Sequence, residues 1–196
     1  MPSPALRSPD LASRTIVTLN GNPRAHSRTA SLAGAIATAI AAKVPVAVKT
    51  VHLSDAAPHL LSALSRDAAS PAGEAILRTI ESADLLVIGT PVCRASIAGA
   101  LKHIFDLIDR DALIGRIAVL SATGGTPLHA LIGEHQLRPL LSFFRAFTIP
   151  TFVYATEDEF DAERAPKAAV RERIARAAEE AAHLLIHSPA RAIAAE

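Results

Sequence analysis

The sequence predicts an α/β protein: a three-layer sandwich built around a five-stranded parallel sheet of strand order 2-1-3-4-5. Short β-branched or apolar runs alternate five times with longer stretches of helical periodicity, the pattern of parallel strands joined by right-handed crossovers. One of those runs, Leu85 to Gly89 (LLVIG), is apolar throughout, as a strand buried on both faces must be. The chain has 196 residues and half of them are hydrophobic, which suits one core and one domain. The formal charge of +1, from 20 Lys and Arg against 19 Asp and Glu, excludes the broad basic field that concentrates nucleic acid. A single cysteine, Cys93, excludes an intramolecular disulfide and any multi-cysteine metal cluster, and suits a reducing cytoplasm. No apolar run approaches the roughly 18 residues that a membrane span needs.

The Pro- and Ser-rich segment 1–13 has no continuous apolar stretch after its charges and reads as a disordered arm rather than a secretory signal. The single domain is expected over 14–187, with a tail at 188–196. Thr15 to Leu19 is the first strand, stopped by the turn signal Asn20-Gly21-Asn22-Pro23. Leu32, Ala33, Ile36, Ala37, Ile40 and Val44 then recur at helical spacing. Val46, Val48, Val51 and Leu53 alternate as a second strand, and 54–69 is expected as loop with a short helix. Ser70-Pro71 caps a second helix that runs to about Ala83 on Ile76, Leu77 and Ile80. After the Leu85 strand come a helix over 97–109, a strand from Ile117 to Leu120, and one long helix over 129–147. A last strand from Ile149 to Tyr154 and an Ala-rich helix over about 162–187 complete the alternation.

In that strand order, strands one and three lie side by side and their crossovers leave on opposite faces, opening a crevice beyond their carboxyl ends. Three loops meet it. In the first, Asn20 to Thr29, the unpaired amides of a helix start favour an anion, with Gly21 allowing close approach, Ser27 and Thr29 offering hydroxyls, and Arg24 offering charge. A turn in which Ser27 or Thr29 merely caps the helix is the plainer alternative. The loop has neither the GxGxxG of dinucleotide folds nor the GK[ST] ending of a P-loop, so one phosphate fits better than three. The second loop, Thr90 to Ser96, is stiffened by Pro91 and can edge a flat heterocycle with its amides, or be a rigid connector holding a buried Cys93. The third, Ala122 to Pro127, bares backbone at Gly124-Gly125 for a planar ring, or is an ordinary turn. None of the three contains Phe, Tyr or Trp, so a bound ring keeps an open face. The histidines show no ligand spacing with acidic partners, and no metal is expected.

Taken together, GNPRAHSRT, TPVCRASIAGALKHIFDL, SATGGTPLH and GEHQLRPLL resemble the NADPH-dependent FMN reductase family of flavodoxin-like proteins. Within it they look like the flavin reductases that supply reduced FMN to two-component alkanesulfonate and methanesulfonate monooxygenases. The resemblance covers about residues 15 to 155. It implies FMN and NADPH or NADH as cofactors, a flavin-dependent monooxygenase as partner, and no catalytic acid or base, since hydride passes from nicotinamide C4 to flavin N5. By the resemblance Arg24, Ser27 and Thr29 hold the FMN phosphate, with Asn22 where the family often has Ser. Pro91, Val92, Cys93, Arg94 and Ser96 border the isoalloxazine, and Thr123, Gly124 and Gly125 lie on its other edge. Cys93 stands where Tyr is common. His135 falls where close relatives carry an inserted Tyr or His in a π-bulge at the subunit interface, which implies oligomer-linked control of flavin release; an ordinary surface histidine is the alternative. Arg28 and Arg94 are candidates for the nicotinamide nucleotide, or for simple surface charge. Leu137, Leu140, Leu141, Phe144 and Phe147 at helical spacing suggest a homodimer or homotetramer, with core packing as the alternative. Three other functions compete: an NAD(P)H:quinone or azo-compound reductase with FMN as prosthetic group, a flavodoxin-type electron carrier, and an interaction module without flavin.

Overall fold

Side-chain alternation along the inner strands sorts the apolar residues into two cores, one on each face of a parallel sheet. The computed structural model describes residues 11–188. In β1 (Thr15–Asn20) Val17 and Leu19 enter one core and Ile16 the other; in β3 (Leu85–Pro91) Leu86 and Ile88 are divided in the same way from Leu85 and Val87. β4 (Ile117–Gly124) repeats the division, with Ala118, Leu120 and Ala122 on one side and Ile117 and Val119 on the other. Buried on both faces, these strands need apolar residues at successive positions, which is why LLVIG carries no polar side chain. β2 (Ala47–His52) is the edge strand, and its first four residues are exposed.

The sheet order is β2-β1-β3-β4-β5, all pairs parallel, so the expected 2-1-3-4-5 arrangement is present. α1 (Arg28–Ala41) and α6 (Ala168–His187) cover one face through Leu32, Ile36, Ile40, Ile174 and Leu185. α2 (Leu53–Leu60), α3 (Pro71–Glu81), α4 (Gly99–Leu107) and α5 (Arg138–Phe143) cover the other. Ser27 and Ser70 cap α1 and α3 by accepting from the amides of Ala30 and Gly73, as the sequence at Ser70-Pro71 leads one to expect. No helix among the described residues is long and apolar enough to cross a membrane.

Two elements depart from the sequence reading. The last strand is not continuous from Ile149 to Tyr154. It is split into β5 (Phe147–Thr148), beside the start of β4, and β6 (Val153–Thr156), beside its end. Pro150 has no amide to give a ladder, and Thr151 between the halves instead donates its amide and hydroxyl to the Glu180 carboxylate on α6. Nor is 129–147 one helix. It comprises a 3₁₀ turn (Pro127–Leu131), a π turn (Gly133–Leu137) and the short α5. In the π turn the Arg138 amide reaches back five residues to the Gly133 carbonyl, so one residue more than an α-helical turn allows is accommodated. Arg138 anchors both irregularities: its guanidinium donates to Glu134, to the Thr148 hydroxyl and to the Ile149 carbonyl at the strand break. That bond holds Glu134 below the usual carboxylate range and raises Arg138. Leu137, Leu141 and Phe144 of the expected apolar excess are core residues, Leu140 is half-buried, and Phe147 lies on β5 rather than on a helix, exposed together with Phe143. Of the expected arm and tail, 1–10 and 189–196 lie outside the described residues, and Leu11–Ser13 form a 3₁₀ turn with Leu11 against the core.

Candidate functional site

At the carboxyl ends of β1, β3 and β4 a cleft of about 420 Å³ opens at the switch point of the sheet. Gly21 makes it possible. Its amide donates to the Gly89 carbonyl at 2.7 Å, and a Cβ there would stand 2.6 Å from Leu101 and 2.9 Å from that same carbonyl. Only glycine lets the chain leave β1 so close to β3 and α4.

One end of the cleft is cationic. Asn22 organises the loop: its backbone amide donates to the Asn20 side chain, its side-chain Oδ1 accepts from the Arg24 amide, and its Nδ2 donates to the Thr29 hydroxyl. Ser27 sits at the N-cap of α1 with extended backbone, so the first-turn amides and the positive end of the helix dipole face the cleft. Arg24, Arg28 and Arg164 line this end against one carboxylate, Glu157, which pairs with Arg28 at 3.5 Å. The Arg28 Nε is buried and has no hydrogen-bond partner within the protein.

The other end is lined by uncharged residues. Pro91, Val92 and Cys93 form one wall; Thr123, Gly124 and Gly125 form a second, adjoining one. The walls are stitched together where the Val92 amide donates to the Thr123 carbonyl at 2.8 Å, and Thr123 is tied to the cationic end by a 2.7 Å hydroxyl pair with buried Thr29. Gly124 is required by packing, because a Cβ would collide with the Tyr154 hydroxyl and press on Val92. Tyr154 donates that hydroxyl to the Thr126 carbonyl at 2.6 Å, pinning the loop; burial, assisted by the charge of Glu159, pushes its pKa above the ordinary phenol value. A Cβ on Gly125 would meet nothing within 4 Å, so this wall presents bare backbone to open space.

Of the residues expected from the sequence, Asn22, Arg24, Ser27, Thr29, Pro91, Val92, Cys93, Thr123, Gly124 and Gly125 line this one cleft. Thr29 does so with its hydroxyl already bonded within the protein. Arg94 and Ser96 do not line it. They belong to a tight turn behind the wall, where Cys93 and Ser96 exchange both backbone hydrogen bonds and Arg94 points to solvent. His135 is exposed in the π turn, away from the cleft. Glu157 and Arg164 were missed. They follow β6, whose carboxyl end reaches the same crevice, and Arg164 donates to the His26 carbonyl across the phosphate-type loop from a left-handed backbone position with φ of 65°. The position of that loop after the last strand was the available signal. Among the described residues no group of three or more His, Cys, Asp or Glu side chains is placed to hold a metal ion.

An anion-binding helix start joined to a slot with bare backbone on one wall matches a phosphorylated planar ring. Comparison with known proteins agrees: the model of the NADPH-dependent FMN reductase family matches residues 14–161. The chain belongs to that family. An FMN reductase (NADPH) of Pseudomonas aeruginosa is 45% identical over 169 residues, 86% of this chain and 91% of the relative. A relative from Pseudomonas fluorescens, the NADH-dependent FMN reductase SfnF, is also 45% identical over 169 residues, 86% of this chain and 90% of its own. Among solved structures, an oxidoreductase from Corynebacterium diphtheriae superimposes with a TM-score of 0.81 at 34% identity, covering 89% of this chain and 98% of that one. As a member of the family the chain is an NAD(P)H:FMN oxidoreductase of flavodoxin-like fold, with FMN and a nicotinamide coenzyme as its ligands.

Proposed function

We propose that the chain reduces FMN with NAD(P)H and hands the reduced flavin to a partner monooxygenase that cleaves organosulfonates. The observation that carries the flavin part is the two-ended cleft, cationic at the α1 start and uncharged along 91–93 and 123–125. Arg24, Ser27 and the first amides of α1 take the phosphate, with Arg28 and Arg164 lining the same end. Thr29 acts indirectly, holding Asn22 and Thr123 in place. When bound, FMN supplies the hydride acceptor, its N5. The protein aligns the ring against these two adjoining walls and offers the Val92–Cys93 and Gly124–Gly125 backbone along its edges. Among the described residues no Phe, Tyr or Trp lines the cleft, so one ring face stays open for a nicotinamide to stack and for the flavin to leave again. That openness favours flavin as a substrate over flavin as a fixed prosthetic group. The single half-buried Cys93 fits a cytoplasmic enzyme.

The partner assignment rests on likeness to sulfonate-system reductases. It is tested by mixing the protein, FMN, NAD(P)H and an alkanesulfonate in air with an alkanesulfonate monooxygenase component and measuring sulfite. Sulfite released only when all are present is the expected result; brisk FMN reduction without sulfite overturns the assignment. We further propose a homodimer or homotetramer, supported by exposed Phe143 and Phe147, in which His135 on the π turn controls flavin release. Sedimentation with and without FMN is then expected to show a flavin-dependent assembly that His135→Ala abolishes.

A further inference from the structure

The turn behind the ring wall is built from residues that do not favour it. Cys93 and Ser96 close a two-residue hairpin through bonds of 2.8 and 2.9 Å, and its central residues Arg94 and Ala95 have φ of 50° and 61°. Asn-Gly is the pair such a turn prefers, because two successive L residues in the left-handed region are strained. Something outside the turn must hold it. Gln136 does: its Oε1 accepts from the Ser96 hydroxyl at 2.6 Å and from the Ile97 amide at 3.2 Å, while its Nε2 donates to the Ala95 carbonyl at 3.3 Å. The two donors and the one acceptor of the turn fix the orientation of the amide.

Gln136 reaches the turn from the middle of the π turn Gly133–Leu137. Removing the one extra residue would swing its side chain by about 100° around the helix axis, away from the turn. The same turn leads back through Cys93 to Val92, both of which face the cleft.

We infer that Gln136 is a positioning residue for the flavin ring: it clamps the strained 93–96 turn so that Val92 and Cys93 form the ring wall, and it makes FMN affinity depend on the geometry of the π turn. The inference rests on the reading of the cleft as an FMN site.

Four proteins test it: the wild type, Gln136→Ala, Gln136→Glu and the double variant Gln136→Ala with Ala95→Gly. FMN affinity is read from quenching of flavin fluorescence, and the clamp itself from amide hydrogen exchange over 95–97 in flavin-free protein. Gln136→Ala is expected to weaken FMN about tenfold, to raise the KM for FMN far more than it lowers kcat, and to speed exchange at Ile97. Gln136→Glu keeps the acceptor oxygen for Ser96 and Ile97 and retains most of the affinity. In the double variant glycine takes the left-handed position unaided, and affinity returns to near the wild-type value. Unchanged FMN affinity and unchanged Ile97 exchange in Gln136→Ala overturn the inference, as does a loss that Ala95→Gly leaves unrepaired. Should the wild type bind no FMN, the flavin reading fails by itself, and the exchange data still decide whether Gln136 holds the turn.

Discussion

The two ends of the cleft are supported in opposite ways. The cationic end is largely self-contained: Asn20, Asn22, Arg24, Ser27 and Ala30 bond to one another within eleven residues of chain, on a helix whose capping satisfies its own geometry. The ring end includes a left-handed turn whose outside support arrives from Gln136, forty residues on in the sequence. Most of the phosphate site is assembled from adjacent residues, and the loop after β6 adds only Glu157 and Arg164 to it. A wall propped from a π turn can shift while the core stays folded, which suits an enzyme that must bind flavin and then release it.

The largest break in this comparison is expected from Gly124→Val. Its side chain collides with Tyr154 and Val92, costing roughly 1–3 kcal/mol of stability by overpacking and closing the ring slot. Thermal melts and flavin titration should show a lower Tm with FMN and riboflavin binding both lost. Arg24→Ala separates the ends instead. Loss of one charge-assisted contact, about 1.5–3 kcal/mol, should weaken FMN roughly 10- to 100-fold while riboflavin, which has no phosphate, binds as before. Tyr154→Phe removes only the donor to the Thr126 carbonyl and should cost about 1 kcal/mol in urea melts, with FMN weakened less than in Arg24→Ala.

The smallest effect lies far from the cleft and serves as a control on acid behaviour. The Arg66 guanidinium holds the Glu74 carboxyl below its ordinary 4.5, and burial opposes but does not overcome this. A carboxyl whose folded value is depressed contributes stability that is fully present above about pH 4.5 and is lost as the pH falls through the folded value. Melts from pH 7 down to pH 3 should therefore fall in the acid range, and Glu74→Gln should flatten that fall without moving FMN affinity at pH 7.

The sheet was legible because its strands are short apolar runs and its order follows from the alternation with helices. What was not legible has local causes. A Leu-rich stretch from 129 to 147 satisfies a 3.6-residue period even though its first half is wound as 3₁₀ and π turns; the one-residue excess leaves no mark in the spacing of Leu137, Leu140 and Leu141, and only the resemblance at His135 pointed to the π turn that is present. Pro150 hinted at the broken last strand, but the partner that stabilises the break, Glu180, lies on α6. Thr123 and Gly124 read as loop, yet they end β4 opposite Pro91 and Thr156, a placement that pairing alone decides. Most of the cleft residues were found because they sit in loops after strands one, three and four. Glu157 and Arg164 were not, because the loop after the last strand reaches the cleft only once β6 has paired with β4. Arg94 and Ser96 are expected at the ring by the family resemblance, whereas the 93–96 hairpin leaves them out of the cleft lining.

The most direct test of an open flavin site is the dependence of NAD(P)H oxidation on free FMN in protein passed through gel filtration. A colourless protein is expected, with an oxidation rate that rises with added FMN and saturates. A protein that stays yellow through the column and oxidises NAD(P)H at a rate that added FMN does not change would contradict an open site.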